Sequence, residues 1–150
     1  MIIRPMSFGD LSVILPIEKA CFTDPWSENG FKDSLNEASA HLLVLEDESF
    51  GIVGYACLYQ IVDEGEIVNV AIHPSYRQKG YGAELVRALI QLGKELGAER
   101  FFLEVRKGNV SGRALYASLG FAECGIRKGF YENPREDAVL MMWQEAEISQ

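Results

Sequence analysis

Cysteine and histidine are scarce in this chain of 150 residues. The three cysteines, Cys21, Cys57 and Cys124, lie far apart and form no Cys-x-x-Cys pair. An odd number of widely spaced cysteines argues against a disulfide framework and a zinc site, and is typical of a reducing compartment. Each lies among apolar residues in the sequence, so we expect all three to fill the core. His41 and His73 lack metal-ligand spacing and receive no catalytic role. We therefore expect a cytoplasmic protein without a bound metal.

Long apolar runs and an excess of basic residues are also missing. No segment approaches the roughly 20 apolar residues of a membrane-spanning helix, and the N-terminus does not place an apolar segment after a basic one. We expect neither a transmembrane helix nor a signal peptide. The net charge of -8 is unusual for a general nucleic-acid binder, so we expect no direct nucleic-acid binding. Negative charge aids solubility, and it would also attract an amine or a basic protein.

The remaining composition and the apolar periodicity predict one α/β domain spanning residues 1–150. Of the residues 48% are apolar, and no repeat or linker interrupts the chain. Three consecutive strands form an antiparallel meander, and a long helix then crosses over to a parallel neighbouring strand. The result is a mixed, mostly antiparallel central sheet flanked by helices on both faces. We expect strands near 2–4, 41–45, 51–61, 66–72, 100–105, 121–127 and 138–143. Helices are expected after Asp10, after Ser27, after Gly80 and from Ser111 to Leu119, and the end over 145–150 is expected to be frayed.

The stretch from Val70 to Gly82, VAIHPSYRQKGYG, has the order strand, glycine-bearing basic loop, helix. The first N–H groups of a helix lack intrahelical partners, and the helix dipole makes that end partially positive. Glycines let a phosphate approach the main chain, and Arg77 and Lys79 add positive charge. A tight turn before a helix would explain the two glycines equally well. The pattern is not a Walker loop, which needs Lys and then Ser or Thr after the second glycine. It is not Gly-x-Gly-x-x-Gly either, because residue 85 is leucine.

A second group of polar residues follows in the chain. Glu104 lies in an apolar strand whose two faces both read as buried, so we expect its carboxylate to face a cavity or a partner. An outward-facing position is the alternative. Tyr116, on the next helix, fits a core tyrosine with a hydrogen-bonded hydroxyl. Asn109 fits a helix cap.

Several motifs resemble those of a known family. Arg77-x-x-Gly80-x-Gly82 resembles the pyrophosphate-binding loop of the GCN5-related N-acetyltransferases (GNAT), and residues 103–121 resemble the second half of their fold. Phe22-x-x-Pro25-Trp26-Ser27 and the segments 66–71, 127–131 and 136–141 are similar to the bacterial ribosomal-protein-alanine N-acetyltransferases (RimI-like). The resemblance covers essentially the whole chain.

This resemblance implies a GNAT fold and an acetyl-CoA-dependent transfer of acetyl to the N-terminal alanine of a small-subunit ribosomal protein. Glu104 matches the family's general base and Tyr116 its general acid. In the mechanism that the resemblance implies, the acceptor amine attacks acetyl-CoA directly in a ternary complex. The two strands around the cofactor would separate after Glu104. Trp26 and Tyr131, expected in loops, would lie near the acceptor peptide. The implied cofactor contacts are Val70, Ala71, Ile72, Arg77, Gln78, Lys79, Gly80, Tyr81, Gly82 and Asn109.

The residues alone also allow other functions. One alternative is an enzyme that acetylates a small amine or a protein lysine, and another is a CoA-binding regulatory module without turnover. Trp26 and Tyr131 fit core or rim positions as well as an acceptor groove. We expect a monomer or a weak dimer, and no covalent intermediate on Cys124, which has no histidine near it in sequence.

Overall fold

The computed structural model describes residues 1–145, so the frayed end expected beyond Glu145 lies outside the described residues. Short 3-10 helices occupy Phe8–Asp10 and Pro74–Tyr76. The other elements, in chain order, are β1 (Ile2–Pro5), α1 (Leu11–Cys21), α2 (Glu28–Asn36), β2 (Ala40–Asp47), β3 (Gly51–Ile61), β4 (Glu64–Ile72), α3 (Tyr81–Glu95), β5 (Arg100–Arg106), α4 (Val110–Ser118), β6 (Ala122–Tyr131) and β7 (Glu136–Gln144).

The strands form one sheet in the order β1-β2-β3-β4-β5-β7-β6. β4 and β5 run parallel, while the other neighbouring pairs are antiparallel. The crossover through α3 joins two strands that run in the same direction, as a helical connection between parallel neighbours does. The structure confirms the mixed, mostly antiparallel sheet. Within residues 1–145, no helix is long and apolar enough to cross a bilayer.

The parallel pair separates part of the way along its length. Its register runs from Glu64↔Arg100 to Ile67↔Leu103 and ends there. Separation begins just before Glu104, one residue earlier than expected. On the other side of β4, the register with β3 shifts between Cys57 and Leu58. A bulge of this kind bends the strand, and here it lies beside the point where β4 leaves β5.

Two apolar clusters hold helices against opposite faces of the sheet. One includes Leu85 and Leu89 of α3 with Phe101 of β5, and the other includes Ile14 of α1 with Phe31 of α2. Burial alternates along β5. The expectation that both faces of this strand are buried is therefore wrong. Phe101, Leu103 and Val105 are buried, whereas Phe102 and Glu104 on the other face are half-buried.

Helix caps follow the sequence where the capping interaction is local. The Ser27 hydroxyl accepts the Gly30 N–H at 3.0 Å and caps α2. Gly97 adopts φ 100° after α3, as a helix-terminating glycine does. Asp10 does not cap α1 with its side chain. Its carboxylate instead accepts two hydrogen bonds of 2.9 Å from the Arg4 guanidinium, which also holds its pKa below the usual range.

Several expectations about burial fail at the edge of the fold. Helical spacing predicts that Leu96 shares the buried face of α3 with Leu85 and Leu89, but it lies just beyond the helix and is 50% exposed. Ala114 is exposed on α4, which has no buried residue. Of the cysteines, Cys57 is buried, Cys21 is half-buried and Cys124 is exposed. Cys124 lies on β6, the edge strand, where apolar sequence neighbours do not provide burial.

Candidate active site

A cleft of about 550 Å³ opens where β4 and β5 separate. Its walls come from β4, β5, α1, α4, the loop between α1 and α2, and the end of β6. Among the residues that line it are six of those singled out from the sequence: Trp26, Val70, Glu104, Asn109, Tyr116 and Tyr131. Residues more than 100 positions apart thus meet in one cavity. The remaining predicted contacts, Ala71, Ile72 and the loop 77–82, lie outside it along the C-terminal end of β4.

The loop beyond β4 delivers the chain into α3 through Gly80. Gly80 adopts φ 84° and provides no side-chain cap for the helix. A Cβ built there meets nothing within 4 Å, so the glycine serves the backbone conformation. The first N–H groups of α3 therefore face outward without an intrahelical acceptor. This geometry fits an anion, which is the use predicted for the loop.

The two cations of the loop lie beside it. Arg77 donates to the Ile72 carbonyl oxygen at 3.3 Å and to the Cys21 sulfur at 3.1 Å, linking the loop to the end of α1. The Lys79 ammonium lies 5.2 Å from the ring centre of Tyr76. Both side chains contribute positive charge near the start of α3, and neither forms an ion pair among residues 1–145.

Glu104 presents a free carboxylate oxygen within the fold. Its Oε2 atom is buried and has no hydrogen-bond partner in the described part of the chain. Its Oε1 lies 3.5 Å from Nε of Arg127, a mostly exposed side chain. Burial raises the pKa of Glu104, and Glu66 raises it further, while Arg127 opposes the shift. A desolvated carboxylate with an open oxygen can accept a proton.

Tyr116 lies across the same cleft with its ring edge-on to Phe121, at 5.9 Å between ring centres. Burial raises the pKa of Tyr116 to about 12, with a smaller contribution from Tyr131. The hydroxyl therefore stays protonated and is available as a donor. Asn109 caps α4, since its Oδ1 accepts the Gly112 N–H at 2.9 Å. The cap expected from the sequence is thus present at the rim of the cleft.

Arg106, which received no role from the sequence, organises the wall that carries Tyr131. Its guanidinium donates to the carbonyl oxygens of Glu132 at 2.8 Å and Pro134 at 2.9 Å, and lies 4.5 Å from the ring centre of Tyr131. Tyr131 ends β6 and is not in the loop where it was expected. A hydrogen bond of 3.0 Å from Asn133 to Asp24 joins this wall to the α1–α2 loop. Trp26 does lie in that loop, as expected.

Glu18 is the second residue that sequence reasoning missed. It lines the cleft, yet only 1% of it is exposed. Both of its carboxylate oxygens accept hydrogen bonds from protein donors. The signal for it is a carboxylate placed on the apolar stripe of α1, between Ile14 and Cys21. No group of three or more potential metal ligands occurs in the described residues.

Known proteins are similar to this chain in both sequence and fold. The sequence model of the acetyltransferase (GNAT) family matches residues 11–121. The chain is 38% identical over 142 residues to a putative ribosomal protein bS18-alanine N-acetyltransferase of Bacillus subtilis, covering 94% of this chain and 93% of that protein. It is 34% identical over 141 residues to the ribosomal protein bS18-alanine N-acetyltransferase of Escherichia coli K12, covering 93% and 94%.

Solved structures agree. The ribosomal-protein-S18-alanine N-acetyltransferase from Escherichia coli superposes with a TM-score of 0.88 at 30% identity, covering 99% of this chain and 96% of that one. Ard1 from Thermoplasma volcanium also gives a TM-score of 0.88, and at 23% identity it shows the fold alone. These matches confirm the resemblance found in the motifs. The chain belongs to the GNAT acetyltransferase family and has its fold.

Proposed function

We propose that this protein transfers the acetyl group of acetyl-CoA to the α-amine of the N-terminal alanine of ribosomal protein bS18. The observation that carries the proposal is Glu104, which lines the cleft between β4 and β5 and whose buried Oε2 has no hydrogen-bond partner within residues 1–145. The relatives reported above are named for this target, the one from Bacillus subtilis as a putative enzyme, and each covers more than 90% of the chain. The enzyme would act in the cytoplasm as a monomer or a weak dimer.

Acetyl-CoA suits the cleft and the loop beside it. The positive-φ Gly80 and the start of α3 form a place for the pyrophosphate, flanked by Arg77 and Lys79. The separated edge of β4, at Val70 and Ile72, offers backbone groups to the pantetheine arm. Acetyl-CoA supplies the thioester, and a backbone N–H of this edge can stabilise charge on the thioester oxygen. Asn109, at the rim, completes the predicted contacts.

Glu104 and Tyr116 divide the proton transfers between them. A peptide α-amine has a reference pKa near 7.7–8.0, so a raised-pKa carboxylate can take its proton directly or through water. The nitrogen then attacks the carbonyl carbon, and the C–S bond breaks. The Tyr116 hydroxyl, which stays protonated, donates a proton or a hydrogen bond to the departing sulfur. Both substrates in one cleft gain from proximity, and no covalent enzyme intermediate is required.

The acceptor peptide would enter between Trp26 and Tyr131. Trp26 lies in the loop between α1 and α2, and Tyr131 lies at the end of β6. The hydrogen bond between Asn133 and Asp24 joins these two parts of the cleft wall. An α-amine needs less from the base than a lysine ε-amine, whose reference pKa is about 10.4. The acceptor favoured by this site is therefore a peptide N-terminus.

Two peptides test the proposal, with acetylation located by mass spectrometry. One carries the free N-terminal sequence of the organism's own bS18, and the other carries the same sequence with a blocked N-terminus and an internal lysine. We expect acetylation of the first peptide alone. Acetylation of the second alone would indicate a lysine acetyltransferase. Acetylation of neither, with acetyl-CoA still bound, would overturn the proposal in favour of a small amine or a regulatory role.

A further inference from the structure

Glu18 is a carboxylate enclosed by the protein at the back of the cleft. Its Oε1 accepts hydrogen bonds from the Tyr55 hydroxyl at 2.6 Å and from the Asn69 side-chain amide at 2.9 Å. Its Oε2 accepts the backbone N–H of Trp26 at 2.9 Å. Each oxygen thus has a protein donor, in contrast to Oε2 of Glu104, which has none within residues 1–145. Glu18 is therefore poorly placed to act as a base.

The three donors belong to separate parts of the fold. Tyr55 lies on β3 in the core, and Asn69 lies on β4 at the register shift opposite Cys57. Trp26 lies in the loop between α1 and α2. One carboxylate on α1 thus ties the strand edge that precedes Val70 to the loop that forms the opposite wall of the cleft.

Stability alone does not explain a carboxylate at this position. Burying an ionised group carries a desolvation cost, which its hydrogen bonds only offset, and well-packed apolar residues often stabilise a core equally well. Glu18 occupies a place on the apolar stripe of α1 where Ile14 and Ile17 are fully buried. What the carboxylate provides, and an apolar residue would not, is a fixed position for three donors.

We propose that Glu18 is the positioning residue of this site: it fixes the Trp26 loop and the bulged segment of β4 relative to Glu104, and so sets the distance between the acceptor amine and the thioester. The proposal rests on the proposed acetyl transfer. Glu18 acts only through Trp26 and Asn69. Its loss should therefore affect alignment of the acceptor more than binding of acetyl-CoA, because none of its three donors belongs to the loop 77–82.

The test compares Glu18→Met with Tyr55→Phe. Methionine is similar in size to glutamate and removes all three acceptor contacts. Phenylalanine at position 55 removes one hydrogen bond to the same carboxylate, on the core side, and leaves the contacts to Trp26 and Asn69. We expect Glu18→Met to lower kcat/KM for the acceptor by about 10- to 100-fold, because small misplacements of reacting groups have effects of that size. Acetyl-CoA affinity should stay within about two-fold. Tyr55→Phe should keep near wild-type kinetics.

Amide hydrogen exchange at Trp26, followed by NMR, supplies a readout independent of turnover. The Trp26 N–H should lose protection in Glu18→Met and keep it in Tyr55→Phe.

If Glu18→Met does not fold, Glu18→Gln replaces it, since the amide keeps one oxygen acceptor in a side chain of the same shape. Unchanged acceptor kinetics in a folded Glu18 variant would overturn the proposal, and so would equal kinetic losses in both variants. Absent turnover in the wild type, with Trp26 exchange responding as described, would count against the acetylation proposal instead.

Discussion

Replacing Glu104 with glutamine removes the proposed base and changes little else. The two side chains have the same shape, so the cleft and its affinity for acetyl-CoA should be retained. Arg127 loses an ionic partner 3.5 Å away, but its side chain is 58% exposed, where such pairs contribute little. The substitution therefore isolates the proposed proton acceptor, a carboxylate whose Oε2 has no protein donor within residues 1–145.

The expected loss follows from the usual contribution of a positioned base. General base catalysis is worth about 10²- to 10⁴-fold, which corresponds to about 3 to 5 kcal/mol in the activation free energy. We expect kcat/KM for the acceptor peptide to fall by that factor, measured by the release of free CoA. Acetyl-CoA affinity, measured by calorimetry, should be unchanged.

The pH profile adds a second signature. The pKa of Glu104 is raised, mainly by burial. Wild-type activity should therefore be retained above that raised pKa and fall as the pH drops through it, at a higher pH than for an ordinary carboxyl group. The Glu104→Gln variant has no carboxylate to titrate there. Its rate should rise about tenfold from pH 7 to pH 9 as the α-amine, with a reference pKa near 8, loses its proton.

Folding stability serves as the control. Because its folded-state pKa is raised, Glu104 opposes folding when ionised at neutral pH, and this cost disappears as the pH falls through the raised pKa. Glu104→Gln should therefore unfold at a temperature no lower than the wild type at pH 7. A folded variant with kcat/KM within about threefold of wild type would refute the assignment of the base.

Three further predictions concern the acid, the loop and the core. Tyr116→Phe should lower kcat by about 10-fold or more, with the acetyl-CoA affinity unchanged; equal rates in stopped assays would contradict its role as donor. Gly80→Ala and Gly51→Ala place a Cβ at similar positive φ, 84° and 94°, with nothing within 4 Å. Each should therefore lower the free energy of unfolding by about 1 to 2 kcal/mol. Only Gly80→Ala should raise KM for acetyl-CoA. Gly93→Ala should destabilise the fold by about 1 to 3 kcal/mol in urea unfolding, because its Cβ would lie 2.5 Å from the ring of Phe101; a stabilised variant would show that the ring moves aside.

Sequence reasoning succeeded where a local pattern determines the structure. The crossover from β4 through α3 to β5 follows from element order alone, and it places the glycine loop and Glu104 at one end of two parallel strands. The caps at Ser27 and Asn109 are set by neighbours three residues away. These features position most of the proposed site.

Features that depend on distant partners were not predictable in this way. The partners of Glu18 lie 8, 37 and 51 residues away, so its sequence neighbours give only an acidic residue on an apolar stripe. Asp10 does not cap α1 with its side chain and instead pairs with Arg4, which also pairs with Glu46 on β2. Cys124 has apolar neighbours in sequence, but only the strand order reveals that β6 is an edge.

The most direct test of the central claim is the state of the bS18 N-terminus in cells. Ribosomes from the parent strain and from a strain lacking this gene would be compared by mass spectrometry of the bS18 N-terminal peptide. A strain in which Glu104→Gln replaces the wild-type chain would provide the matched control. We predict an acetylated alanine in the parent strain and a free alanine in the other two. An acetylated N-terminus in all three strains would contradict the account.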